Sequence, residues 1–290
     1  MFMKYLLAVD GSDQSIDATR AFEALNPGES LMVLHVVNVP GIPYPSIGAG
    51  VAKDLSMAVD KAMRDEGERI IDQAVSLLPL HPGSIMKRLE NGTPAEVILT
   101  IVKEKSIDLV VLGARGIGQF REQMFGSVSH RVMTHASCSS LIIKKPIRKI
   151  QEVLIPVESQ EDGEAVVRFL KKKPFREPIS ATVLHVIPFS EPVWPVGAMI
   201  SPEFRKEMIA YGEKFTNGIS GELTRMGHKA QGIVIVGAPS HTIIEEATKN
   251  ATDLIMMRTH SRSGVSRFLL GSVSHSVVHH TESSILFVRE

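Results

Sequence analysis

The chain has 290 residues, enough for two domains of the common size of about 145 residues each. Apolar residues make up 43% and aromatic ones 5%, a composition that fills aliphatic cores and excludes a disordered chain or a fibre. Lysine plus arginine and aspartate plus glutamate both total 32, so no overall field selects nucleic acid or an anionic membrane surface as partner.

In chain order, the first apolar run is Tyr5 to Val9, ended by Asp10. It is too short for the apolar region of a signal peptide. No later stretch reaches the roughly 18 to 20 apolar residues of a membrane span, so a cytoplasmic chain without a membrane span is expected. Short continuous apolar runs read as buried parallel strands near 4–9, 31–38, 84–90, 108–112 and 139–144. Between them, helical periodicity predicts helices near 14–25, 52–78, 94–106 and 127–136. Thr93 before Pro94, with Glu96 beyond, is a helix start signal, and Pro239 sits at the matching place in the second half. The segment Lys145 to Gln151, containing Pro146, reads as a short linker between domains at 1–146 and 152–290. The lone cysteine, Cys138, has no intrachain partner and sits in an apolar stretch, as expected of a buried thiol in a reducing compartment.

The two halves are repeats. Gly92 to Lys145 aligns without a gap onto Gly237 to Glu290, and Gly126-Ser127-Val128-Ser129-His130 recurs as Gly271-Ser272-Val273-Ser274-His275. Upstream, Tyr5 to Asp10 answers Val153 to Glu158, and Leu34-His35-Val36-Val37 answers Leu184-His185-Val186-Ile187. Strand and helix alternating with right-handed crossovers give, in each half, a doubly wound parallel five-stranded α/β sheet with helices on both faces. Ligands of such sheets collect at the carboxyl ends of the strands.

The loop after the fourth strand runs from Gly113 through Arg115 and Gly116 to Gly126 and Ser127, where an apolar helix begins. Glycine permits close backbone approach, and a helix start supplies amide donors and a favourable dipole, so a phosphate group suits this loop. A structural loop with turn glycines fits the same residues. Neither the P-loop nor the dinucleotide fingerprint is present. The pattern Gly113-x2-Gly116-x9-Gly126-Ser127, with the opening Leu-Leu-Ala-Val-Asp10-Gly-Ser12 and Leu-His-Val of the second strand, resembles the universal stress protein family over nearly the whole chain, twice. The resemblance implies the adenine nucleotide alpha-hydrolase-like fold and an adenine nucleotide, ATP or AMP, as ligand, with Mg2+ when ATP is bound. It further implies that Ala8, Asp10 and Val36 line the adenine and ribose pocket and that Gly113, Gly116, Gly126 and Ser127 take the phosphates. Arg115 either pairs with a phosphate or stays solvated, and Asp10 either meets the ligand or serves as a turn carboxylate.

In the second half, Arg258 stands for Gly113 and Ser261 for Gly116, Glu158 replaces Asp10, and Gly271 and Ser272 are kept. Side chains at two loop glycines remove close backbone approach, so one competent site per chain is expected. Arg258 either binds another anion, reaches the other half or is a degenerate surface residue. Family members pair through the fifth strand, which implies an internal pseudo-dimer of the halves and leaves a homodimer open.

Other constellations carry less. His275 and His279 lie four apart with His280 adjacent, yet no acidic or cysteine ligand is fixed nearby by spacing, and His130 repeats His275, so no metal site is expected. The loops Pro40 to Gly50 and Pro188 to Ile200, with Tyr44, Phe189 and Trp194, either bind a partner or cover the core. No catalytic triad or metal-held carboxylate set appears, so at most slow ATP hydrolysis is expected. Three readings result: a nucleotide-binding stress-response protein acting on an unknown protein partner, a weak ATPase or self-phosphorylating enzyme at Gly126-Ser127, and a nucleotide-free scaffold working through the loops around Tyr44 and Trp194.

Overall fold

The computed structural model describes residues 3–38, 49–79, 83–116, 125–188, 202–258 and 270–289. The loops around Tyr44, Phe189 and Trp194 lie outside the described residues, as does Ser261. The chain divides into two units, one of Met1–Glu23 and Pro27–Pro146, the other of Ala24–Asn26 and Ile147–Glu290.

The first unit runs β1 (Lys4–Ala8), α1 (Asp13–Arg20), β2 (Ser30–Val37), α2 (Ala49–Leu77), β3 (Ser84–Asn91), α3 (Pro94–Glu104), β4 (Leu109–Gly113), α4 (Ser127–His135) and β5 (Ser139–Ile143). Its strands lie in the order β3-β2-β1-β4-β5, all pairs parallel. The second unit repeats this with β6 (Glu152–Pro156), α5 (Gln160–Lys171), β7 (Ser180–Pro188), α6 (Pro202–Arg225), β8 (Lys229–Gly237), α7 (Pro239–Lys249), β9 (Leu254–Arg258), α8 (Ser272–His280) and β10 (Ser284–Val288). Its order is β8-β7-β6-β9-β10, again parallel. Each unit is therefore the doubly wound sheet read from the sequence.

Burial explains which runs became central strands. Leu6, Leu7, Val110 and Val111 are fully buried, as strands covered on both faces must be, whereas β3 exposes its first four residues. Cys138 is buried and in no disulfide, its thiol donating to Ser139 O at 3.3 Å. In β1, Tyr5 is buried with its ring edge-on to Phe22 at 5.6 Å, and its hydroxyl meets Met3 Sδ at 3.7 Å. Burial, reinforced by the Asp108 carboxylate, pushes the Tyr5 hydroxyl far above its ordinary value, so it stays protonated. One helix differs from expectation. The run predicted over 14–25 is α-helical only to Arg20 and tightens into a 3₁₀ turn at Ala21–Glu23, because Pro27 bars Asn26 from the helical region and the chain must turn out of the helix before it. Thr93 takes the N-cap position of α3, yet its side chain makes no cap hydrogen bond.

The order of strands reverses direction beside β1 and β4 in the first unit and beside β6 and β9 in the second, which places a crevice at the carboxyl ends of those strands. A repeated carboxylate pins the opposite ends. Asp108 accepts the Lys4 amide at 2.9 Å and returns its own amide to the Lys4 carbonyl. Asp253 accepts the amides of Gln151 and Glu152 at 2.9 and 3.0 Å and donates to the Glu152 carbonyl.

Asp108→Ala and Asp253→Ala should each lower stability in urea titration by about 1–2 kcal/mol, since backbone donors lose their acceptor. A loss below about 0.3 kcal/mol would show that water replaces the carboxylate. A second expectation concerns pH. His228 Nδ1 accepts the Ile179 amide at 3.3 Å, and burial pushes its imidazole below the ordinary 6.5. The neutral ring is the favoured form, so its contribution is present above that value and fades as pH falls below it. The unfolding midpoint of His228→Ala should therefore drop less than that of the parent chain between about pH 7.5 and 5.5.

Candidate functional site

At the crevice of the first unit lies a cavity of about 370 Å³, within the range of small-molecule sites. Ala8, Asp10 and Val36 line it from the ends of β1 and β2, and Gly113, Arg115, Gly116, Gly126 and Ser127 line it from the loop after β4. All eight residues singled out in the sequence thus face one space.

The end of β1 is held by local hydrogen bonds. The Val9 amide donates to Leu34 O at 2.9 Å, and the Val9 carbonyl accepts from His35 Nδ1 at 2.8 Å. Beyond it the chain turns through Gly11, whose φ of 82° is open to glycine and strained for other residues. Asp10 Oδ1 accepts the Ser12 amide at 3.0 Å and the Ser12 hydroxyl at 2.6 Å. That hydroxyl oxygen in turn accepts the Ser15 amide at 3.2 Å and caps α1. Asp10 therefore serves the turn and lines the cavity at once; the two readings left open for it are compatible.

The glycine loop is shaped by what lies close to it. A Cβ on Gly113 would stand 2.8 Å from the Gln14 carbonyl group, so α1 approaches β4 more closely than any side chain allows. Gln14 Oε1 also accepts the Arg115 amide. A Cβ on Gly116 would run into Asp10 Oδ2, and one on Gly126 would lie 3.2 Å from Ala114 O. The Gly126 amide donates to Ala114 O at 2.7 Å, closing the loop at its neck, and buried Ser129 donates from Oγ to Gly113 O at 2.6 Å. At the start of α4, Gly126 is the N-cap and no side chain caps the helix, which leaves the first-turn amides and the positive end of the helix dipole to the cavity. Arg115 and Ser127 are exposed. Leu34, Pro94, Ile98 and Phe125 add apolar lining to the cavity. Sequence reasoning missed Pro94 and Ile98, although their spacing of four residues puts them on one face of α3, and it missed Gln14, for which no sequence signal exists.

The second unit solves the same junction differently. By register from the helix caps Ser12 and Ser159, Glu161 stands where Gln14 stands and Asp162 where Ser15 stands. No residue matches Gly11. The Asp162 carboxylate accepts the amides of Glu158 and Ser159, each at 3.0 Å, in a capping box. Arg258 places one guanidinium nitrogen 2.7 Å from Glu161 Oε1 and another 3.8 Å from Asp162 Oδ1. With 23% of its side chain exposed against 3% for Asp162, Arg258 is a partly buried ion-pair partner of α5. Of the readings left open for Arg258, the degenerate surface residue is set aside: its guanidinium bridges β9 to α5.

Among the described residues, no helix is long and apolar enough to cross a membrane. The universal stress protein family model matches residues 1–144 and again 149–289. A universal stress protein of Bacillus subtilis is 34% identical over 149 residues, covering 50% of this chain and 100% of the relative. One from Mycobacterium bovis is 25% identical over 303 aligned positions, covering 98% of this chain and 96% of its own. The crystal structure of a universal stress protein from Archaeoglobus fulgidus superposes with a TM-score of 0.60 at 17% identity, covering 99% of this chain and 96% of that one.

Arg258→Ala should destabilise the second unit by about 2 kcal/mol, because the buried Asp162 carboxylate loses its cation. Glu161→Gln, at an exposed partner, should cost less than about 0.5 kcal/mol. Equal losses in denaturant titration would contradict this assignment. Gly113→Ala should cost about 1–3 kcal/mol, since α1 must move away from the new methyl.

Proposed function

Because the chain belongs to the universal stress protein family, a family of stress-response proteins, we propose that its first domain binds an adenine nucleotide, ATP or AMP, and that the second holds no such site. The observation that carries this reading is the convergence of the eight residues on one cavity whose phosphate end is an uncapped helix start. The apolar lining of Leu34, Pro94 and Ile98 suits a purine face, and backbone groups of Val36 suit its edge. Asp10 can accept from ribose hydroxyls. Gly116 and Gly126 leave backbone accessible where a Cβ has no room, and the α4 amides suit phosphate oxygens. Asp10 and Ser127 are oxygen donors of the kind Mg2+ prefers.

Binding, rather than turnover, is the function proposed. Nucleotide occupancy would act on an unidentified protein partner in the cytoplasm, and the two copies of the family domain in one chain support an internal pseudo-dimer.

The test is calorimetric titration of nucleotide-stripped chain with ATP and Mg2+, beside Ser127→Glu. Ser127 is exposed at the first position of α4. A carboxylate there favours the helix dipole but repels phosphate. One ATP per chain, weakened at least about tenfold in the variant with an unchanged unfolding midpoint, is the expected result. Two per chain would refute the closed second domain. No binding would refute the nucleotide reading and favour a scaffold acting through the loops around Tyr44 and Trp194.

A further inference from the structure

We propose that α8 carries a binding site for a divalent transition-metal ion of the kind imidazole suits, formed by His275 and His279. Spacing of four residues puts both rings on one side of the helix. Their centroids are 4.3 Å apart with planes at 38°, and a ring nitrogen of each lies within 4.8 Å of the other's. A tetrahedral zinc with bonds of about 2.0–2.1 Å holds two ligand nitrogens about 3.4 Å apart. Small side-chain rotations close that difference.

The pair lies off the most buried face of α8. The buried face of α8 is Ser274, Val277 and Val278, whereas His275 is exposed and His279 half-buried. The first domain shows what the helix needs for its fold alone. There, His130 occupies the place of His275 and meets the Phe125 ring edge-on at 6.5 Å. The place of His279 is taken by Thr134, whose hydroxyl donates to His130 O at 2.7 Å. A role in the shared helix explains one histidine, and the second is private to this domain. His280 is turned elsewhere, its Nδ1 donating to Ser276 O at 2.8 Å. Water would complete the coordination sphere, so affinity should be moderate and should favour Cu2+ over Zn2+ and Ni2+.

The test uses the full chain stripped of nucleotide and metal, titrated with Zn2+ by calorimetry and with Cu2+ by electron paramagnetic resonance. Uptake should be saturable, and His279→Thr, which copies the first domain, and His275→Gln should each weaken it at least about tenfold. His280→Gln should leave it unchanged, and the Cu2+ spectrum should show coupling to two nitrogens. Circular dichroism verifies that each variant is folded. Unchanged affinity in the His275→Gln, His279→Thr double variant, equal weakening by His280→Gln, or no uptake at about 1 mM metal would overturn the site.

Discussion

The candidate site depends on one close approach. The first turn of α1 lies against the end of β4 with no room for a Cβ on Gly113, and this contact sets where the following loop can go. With the helix this near, the Gln14 side chain reaches the Arg115 amide, the loop bends back toward Asp10 at Gly116, and the Gly126 amide closes the neck on Ala114. Glycine at 113 is thus a packing requirement before it is a ligand-binding one. The family motif reads as a phosphate signature, but its first member acts through the position of a helix.

The second domain shows what happens when that requirement is dropped. A side chain at 258 cannot coexist with the same helix approach, and here the side chain is an arginine whose charge is met by Glu161 and Asp162 on the helix it would otherwise have struck. Loss of the residue equivalent to Gly11 goes with this change. Without the left-handed turn, the carboxylate that organises the junction moves from the end of the strand, Asp10, into the helix, Asp162, where it caps its own first turn. These three differences are coupled, and together they replace an open crevice lip with a closed ion pair.

Much of this architecture was legible in the sequence, because aliphatic runs of strand length separated by helical periods admit few arrangements, and the repeat supplied an internal check. The carboxyl-end crevice followed from the alternation alone. What was not legible shares one physical cause: it depends on which side chain faces which across elements far apart in sequence. Gln14 reaches Arg115 across about a hundred residues, and Arg258 finds its partners across a similar span. The early end of α1 needed only the reading that Pro27 constrains Asn26, a local signal that the apolar periodicity through Phe22 and Leu25 masked. The His275 and His279 spacing was visible, but the closeness of the rings was not.

The retained Gly271-Ser272 pair separates two properties that the motif joins. Both α4 and α8 begin at a glycine N-cap without a side-chain cap, so both helix starts offer amides and a favourable dipole. In the first unit Gly126 is also wedged against Ala114 and Arg115. A helix start is therefore only one wall of the cavity in the first unit. In the first domain a second wall, built by Asp10 at Gly116 and by α1 at Gly113, faces the amide-rich helix end across the cavity. With Arg258 in place that wall is an ion pair, and α8 carries His279 where α4 carries Thr134.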